Sequence, residues 1–381
     1  RSIIRTTLED RKRINTKALE SIGKSWHLGT FFDIPVKIHW SFGILVFFVS
    51  YTILTNEMKL WQGVAYALLV LFVFVCVVLH EYGHALTAKK FGVDTLDIIV
   101  SPIGGVARMK FIPDKPAQEF LITLNGPLVN LILGILIGVV MYFVTGKFSL
   151  DLSTYNLDDP LDFVRLLSLV NFTLFFFNLI PAFPMDGGRI LRSLLALKYG
   201  KVKATRIASF VGRVFAIGFV IFGVFDQQLM LSLIGIFIYM MAGQEYSQTK
   251  LQSIIGDVTV RDIMRTSFTR LHLGDTYSKV TELYKSNGEH NFLVFDSMGN
   301  LSGNVPELFI QDVIESNDMD KSVNEFMSDK RKHVSPAISL QKAISIMRDQ
   351  GIGILSVVED DVITGVIDRN DIEAYIRSKI D

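Results

Sequence analysis

Two histidines and a glutamate share one short stretch, His80-Glu81-Tyr82-Gly83-His84. On a helix, residues four apart lie on one face, so His80 and His84 can hold one zinc ion while Glu81 is placed to take a proton from a metal-bound water. The same five-residue pattern also arises by chance as surface histidines. Here it closes an apolar run that begins at Val64, and ionisable groups in an apolar helix are costly unless they face a polar cavity, so a functional site is the default reading. A catalytic zinc takes three protein ligands and keeps a fourth position for water. The candidate third ligand is Asp186, within Asn178 to Arg189 (NLIPAFPMDGGR). Taken without the histidines, that Pro- and Gly-rich stretch is also the composition of a loop that ends a helix.

If such a zinc site acts on a peptide bond, its substrate must be extended, because a helical backbone hides its carbonyls in its own hydrogen bonds. Asp94 to Pro113 (DTLDIIVSPIGGVARMKFIP) reads as two short β runs around Pro102 and Gly104-Gly105. An exposed strand edge there can pair with an extended peptide, making Gly104, Gly105 and Val106 candidate substrate contacts. The plainer reading is a hairpin that joins two spans. Asn125-Gly126-Pro127 permits a kink beside the site, with Asn125 a further candidate substrate contact, or serves packing alone.

The elements that must position these residues are membrane helices. Of 381 residues, 50% are hydrophobic and only 20% charged, and the mean hydropathy is +0.38. Lys and Arg balance Asp and Glu at 38 each, so there is no global basic field and no nucleic-acid partner is expected. The 29 Phe and the long apolar runs exclude a disordered chain. The single cysteine, Cys76, lies in an apolar run and reads as a small buried side chain. Six apolar segments are expected to span: 39–54, 64–86, 120–144, 163–180, 207–225 and 229–243, the first and last being short for a bilayer. Bases concentrate in the N-terminal segment, in the second-to-third connection (Lys89 to Lys115) and in the fourth-to-fifth (Arg189 to Arg206). By the preference of Lys and Arg for the cytoplasmic side, both termini are expected there, with His80, His84 and Asp186 near the cytoplasmic ends of their spans. Arg1 to Lys24 has bases but no apolar core, so no signal peptide is expected within it. Beyond about residue 250, acids exceed bases by about seven, which marks a soluble acidic part after a basic membrane part.

These motifs together resemble the site-2 protease family of intramembrane zinc metalloproteases. The similarity runs over about residues 27–245 and begins at Gly29 to Phe42 (GTFFDIPVKIHWSF), then takes in HEYGH, Gly104-Gly105-Val106, Asn125-Gly126-Pro127 and NLIPAFPMDGG. The resemblance implies zinc held by His80, His84 and Asp186, Glu81 as general base, and Asn178 as the asparagine that stabilises the oxyanion. It also implies a transmembrane protein substrate, a lipid bilayer as surroundings and a bacterial or archaeal cell membrane. An asparagine in a membrane helix otherwise often bonds a neighbouring helix.

In the soluble part, Val258 to Met264 recurs weakly as Lys321 to Met327, each copy followed by strand and helix patterns. This resembles a tandem pair of cystathionine-β-synthase (CBS) domains. Such pairs imply a regulatory role, an adenine nucleotide between the repeats and the possibility of a homodimer through them. Gly365 and Asp371 match the family's ribose-binding pattern, whereas Asp368 stands where that pattern has Ser or Thr, and Gly303 to Glu307 departs further. The expected architecture is an α-helical polytopic membrane protein of about six transmembrane helices with a small β hairpin, plus a cytosolic α/β CBS pair. Its parts are a basic segment 1–26, a protease domain 27–247 and CBS repeats at 248–319 and 320–381. The competing reading is a CBS-regulated ion transporter that uses the HExxH and Asp cluster as an ion site.

Overall fold

A computed structural model describes residues 25–102, 104–110, 115–146, 159–316 and 320–380. The basic segment at 1–24 and part of the acidic connection at 147–158 lie outside the described residues. The chain divides into two compact units, Arg1–Tyr246 and Ser247–Asp381.

The first unit opens with strands β1 (Ser25–Phe31) and β2 (Ile34–His39), joined by a turn in which Phe32 and Asp33 both have positive φ. Helix α1 (Phe42–Thr55) follows, then α2 (Leu60–Lys90). The 31 residues of α2 reach about 46 Å, longer than the hydrocarbon core of a bilayer. The Gln62 side chain accepts the Lys59 N–H at its start, and Lys89 and Lys90 meet the negative end of the helix dipole. The hairpin β3 (Thr95–Ser101) and β4 (Gly104–Met109) comes next. Instead of an isolated hairpin, all four strands form one sheet in the order β1-β2-β3-β4, with β2 parallel to β3. Asp97, 2% exposed, ties three of its strands together, accepting from Lys37 at 2.7 Å and from Arg108 Nε at 2.6 Å.

Helix α3 (Pro116–Thr145) carries Pro at its first position and runs on through Pro127. Helix α4 (Pro160–Asn178) is capped by Asp159, whose side chain accepts the Leu161 N–H. Ser168 on α4 donates to the Gly134 carbonyl of α3 at 2.8 Å, and at Gly134 a Cβ would already stand 3.3 Å from Phe172. Small residues thus let these helices approach, as apolar surroundings require. Then come α5 (Asp186–Tyr199), α6 (Lys201–Phe225) and α7 (Leu229–Ile255).

Five helices, α2, α3, α4, α6 and α7, are long and apolar enough to cross a membrane. Their outward side chains are apolar, such as Phe143 at 81% and Phe225 at 82% exposed, the pattern of lipid-facing surface. The chain is therefore a polytopic helical membrane protein, with a count close to the expected six. The first expected span is α1, which has only 14 residues. The short last segment proves to be the start of the 27-residue α7. Two details differ from the sequence reading. Helix α2 continues past the HExxH residues to Lys90, and Asp186 opens its own helix α5 rather than closing the fourth span.

The second unit contains two similar repeats. The first comprises β5 (Arg270–His272), α8 (Tyr277–Asn287), β6 (Phe292–Phe295), β7 (Leu301–Val305) and α9 (Glu307–Ser316). After the single turn α10 (Val323–Phe326), the second comprises β8 (His333–Val334), α11 (Leu340–Gln350), β9 (Ile354–Glu359), β10 (Val362–Asp368) and α12 (Arg369–Ile380). Each has a three-stranded sheet with its middle strand parallel to the first and antiparallel to the last. Leu293, Phe295 and Leu301 pack against Ile354 and Val366, which joins the repeats through a shared apolar layer. The lead-in segments are exchanged. Val260, Ile263 and Met264 fill the core of the second repeat, and Val323, Phe326 and Met327 fill that of the first.

Candidate metal centre

His80 and His84 lie on α2, one helical turn apart, and Asp186 stands at the first position of α5. All three are buried. His80 Nε2 lies 3.1 Å from Asp186 Oδ2 and 3.1 Å from His84 Nε2, and His84 Nε2 lies 3.3 Å from the same Asp186 oxygen. Three donor atoms so placed suit zinc, since tetrahedral ligands at about 2.0–2.1 Å from the ion stand roughly 3.3–3.4 Å apart. Among the described residues this is the one His, Cys, Asp and Glu group that could hold a metal.

The surroundings prepare these atoms for ligation. His84 Nδ1 donates to the Ile122 carbonyl of α3 at 2.9 Å, which puts its proton there and leaves Nε2 with a free lone pair. Asp186 sits at a helix N-terminus, where the dipole favours the ionised carboxylate. Helix α3 passes the histidines with no side chain between. A Cβ at Gly126 would stand 2.2 Å from His84 Nε2 and 2.9 Å from His80 Nε2, and one at Gly83 would stand 2.6 Å from the Asn125 carbonyl. On the other side, the first turn of α5 packs on the loop before it. A Cβ at Gly187 would fall 2.3 Å from the Ile180 carbonyl.

Glu81 points to the sheet. Its Oε2 accepts the Ala107 N–H of β4 at 2.9 Å, and a Cβ at Gly105 would meet Glu81 Cγ at 2.7 Å. Strand β4 therefore lies against the helix that carries the histidines. It is the edge of its sheet, with Val106 59% exposed and Gly104 at φ 138, a conformation that side-chain-bearing residues avoid. Asn178 ends α4 and gives its amide to the Leu174 carbonyl at 2.9 Å, while the Asn125 amide donates to Leu121 at 2.7 Å. Both amides thus serve their own helices. Among the sequence candidates, His80, His84 and Asp186 come together as one cluster. Gly105 approaches Glu81, and Asp371 belongs to the second unit.

Residues 68–219 match the family model of peptidase family M50, and residues 323–378 match that of the CBS domain. The chain thus carries a peptidase family M50 domain. It is similar to the zinc metalloprotease MJ0392 of Methanocaldococcus jannaschii, 40% identical over 232 residues that cover 61% of this chain and 63% of that one. The Rip3 protein of Mycobacterium tuberculosis is 26% identical over 320 residues, 78% of each chain. A solved site-2 protease from M. jannaschii shares 40% identity, covering 58% of this chain and 95% of its own, with a TM-score of 0.43. The chain thus spans less than two thirds of the length of MJ0392. Both expected signatures, HEYGH and NLIPAFPMDGG, fall within this M50 match and lie at or beside the donor cluster.

Sequence reasoning missed the Ile122 carbonyl and the Ala107 N–H, because main-chain groups leave no residue-type signal. It also missed Arg192, Glu119 and Glu245, three ionisable residues next to apolar runs. Such residues are themselves a signal in a membrane chain.

At Asp371 in the second unit, the carboxylate accepts the Asp368 N–H at 2.9 Å and lies 2.8 Å from Arg265 Nε. Arg265 also contacts Asp368 at 3.1 Å and Glu289 at 3.4 Å. Burial, then the Asp368 charge, pushes the Asp371 carboxyl up to about 6.

Proposed function

We propose that the chain is an intramembrane zinc metallopeptidase that hydrolyses peptide bonds of membrane-spanning or membrane-tethered proteins. The observation that carries this reading is the triangle of His80, His84 and Asp186 donor atoms, 3.1–3.3 Å apart and buried between apolar helices. Zinc held there would polarise a scissile carbonyl and lower the pKa of a bound water towards about 7. Glu81, one residue along α2 from His80, takes the proton of the attacking water and returns it to the leaving amine. Asn178, released from the Leu174 carbonyl, donates to the developing oxyanion. An unwound substrate segment pairs with the free edge of β4 at Gly104, Gly105 and Val106, with Asn125 at the turn of α3 that faces the histidines. The bases near the span ends support a cytoplasmic position for both termini and for the second unit.

Glu81→Gln tests the mechanism. The variant is expected to keep about one zinc per chain and to lose cleavage of a membrane-anchored substrate by a factor of about a hundred or more. Full cleavage with zinc retained rules the mechanism out.

Regulation by an adenine nucleotide in the CBS unit is the finer part of the proposal. Asp371 is offered to a ribose and Arg265 to a phosphate, but each now engages the other. A nucleotide must part them, and three carboxylates around one guanidinium favour ligands with little negative charge. Calorimetric titration of the full chain with adenosine, AMP and ATP should rank them in that order, with Asp371→Ala weakening all three.

A further inference from the structure

Arg192 is 1% exposed and carries a charge that burial does not remove. It lies on α5, six residues beyond Asp186. Its guanidinium donates from Nε to Glu119 Oε1 at 2.9 Å, from Nη2 to the same oxygen, and from Nη1 to Glu245 Oε1. The same group lies over the Phe183 ring at 5.3 Å, and Phe183 belongs to the loop that leads into Asp186. Glu119, 5% exposed, is in the first turn of α3, and Glu245 is on α7. One side chain therefore joins three helices and a loop. Burying such a group is costly, and apolar residues of equal volume would hold helices together without that cost. A guanidinium fork adds what apolar packing lacks, a fixed distance and a fixed direction.

Direction matters here because α3 supports both halves of the donor set. Ile122, which receives the His84 Nδ1 proton, lies three residues beyond Glu119 and so on the same face of α3. The carbonyl of Ile122 orients a ligand on α2, and the carboxylate of Glu119 holds the helix that presents the ligand Asp186. Between Asp186 and Arg192 there is little slack. The turn at Gly187 and Gly188 touches the main chain of Ile180 and Ala182 so closely that added Cβ atoms would lie 2.3 and 2.7 Å from it. A displacement of α5 is passed on to Asp186.

We propose that Arg192 is a positioning residue for the metal: by clamping α5 to Glu119 on α3 and Glu245 on α7, it sets the Asp186 carboxylate at ligating distance from His80 and His84. This rests on the metal-centre reading above. The test compares the full chain in detergent with its Arg192→Lys and Glu245→Gln variants. Zinc affinity is measured by competition with a chromophoric chelator, and the absorption spectrum of each cobalt(II)-substituted form reports ligand geometry. Helicity and thermal unfolding verify the fold. Arg192→Lys keeps the charge and gives up the fork, whereas Glu245→Gln keeps shape and leaves the Glu119 contacts in place. The expected result is a zinc Kd raised about tenfold or more in Arg192→Lys, a smaller rise in Glu245→Gln, and displaced cobalt bands in both. If Arg192→Lys does not fold, Glu245→Gln decides by the same two readouts. Folded variants with a zinc Kd within about twofold of the parent and an unchanged cobalt spectrum overturn the positioning role alone. A parent chain that binds no stoichiometric zinc overturns the metal-centre reading as well.

Discussion

At Gly126 a methyl group would take the space beside both histidine Nε2 atoms. Gly126→Ala is therefore expected to lower zinc affinity about tenfold or more with little loss of helicity, as measured by metal analysis and circular dichroism. The donor residues themselves are legible in the sequence, since two histidines four apart on a helix have a fixed relation and Asp186 stands in a distinctive Pro- and Gly-rich stretch. Their supports are not legible in the same way. The groups that orient His84 and hold Glu81 are an Ile122 carbonyl and an Ala107 N–H, and any residue type supplies those. In the second unit, Asp371 titrates at about 6 when folded, above the ordinary carboxylate value. The folded state thus binds that proton more readily than the unfolded chain. The resulting penalty is full above pH 6 and disappears as pH falls towards about 4. Thermal unfolding of the second unit should therefore move to higher temperature between pH 7.5 and 5.5, and Asp371→Asn should abolish that response.

Among elements, the spans are the easiest to read, because some twenty apolar residues in succession have few alternatives. Helix α5 escapes that reading. Its Asp-Gly-Gly start reads as a turn, and Arg189, Arg192 and Lys198 read as a basic connection. Only the burial of Arg192 against acids on two other helices makes it a membrane-domain helix. Strands β1 and β2 escape for a related reason. Trp26, Leu28 and Phe31 are all more than half exposed, so the inward and outward alternation expected of a half-buried strand is blurred. The sheet depends on Asp97, whose carboxyl is held below its usual range chiefly by the hydrogen bond from Arg108. Replacing it leaves Lys37 and Arg108 facing each other across β3. Asp97→Ala should lower stability by about 1–3 kcal/mol, read from thermal unfolding, and should slow substrate cleavage by loosening β4 against Glu81. Unchanged unfolding would show that the strands keep their register without it.

For the molecule as a whole, the exchanged lead-in segments make the two repeats interdependent. Val323 is fully buried in the core of the first repeat although it follows that repeat in the chain. A fragment of residues 248–319 should accordingly lack fixed tertiary structure, whereas 247–381 should unfold cooperatively. Amide chemical-shift dispersion distinguishes the two outcomes. A weak recurrence in sequence suffices to suggest two repeats, but not that each completes the other, because that depends on contacts between residues more than forty positions apart.

Cys76 is the chain's single cysteine. It is 5% exposed, and the Asn171 amide lies 3.3 Å from its sulfur. Thiol reagents in water should therefore pass it by, which leaves the natural sequence almost silent towards alkylation. A cysteine introduced at an exposed connection, such as Glu57 or Gln227, then reports without interference. Labelling of intact cells by a reagent that does not cross membranes would assign each connection to a side, so the molecule already carries the dark background that a map of its orientation needs.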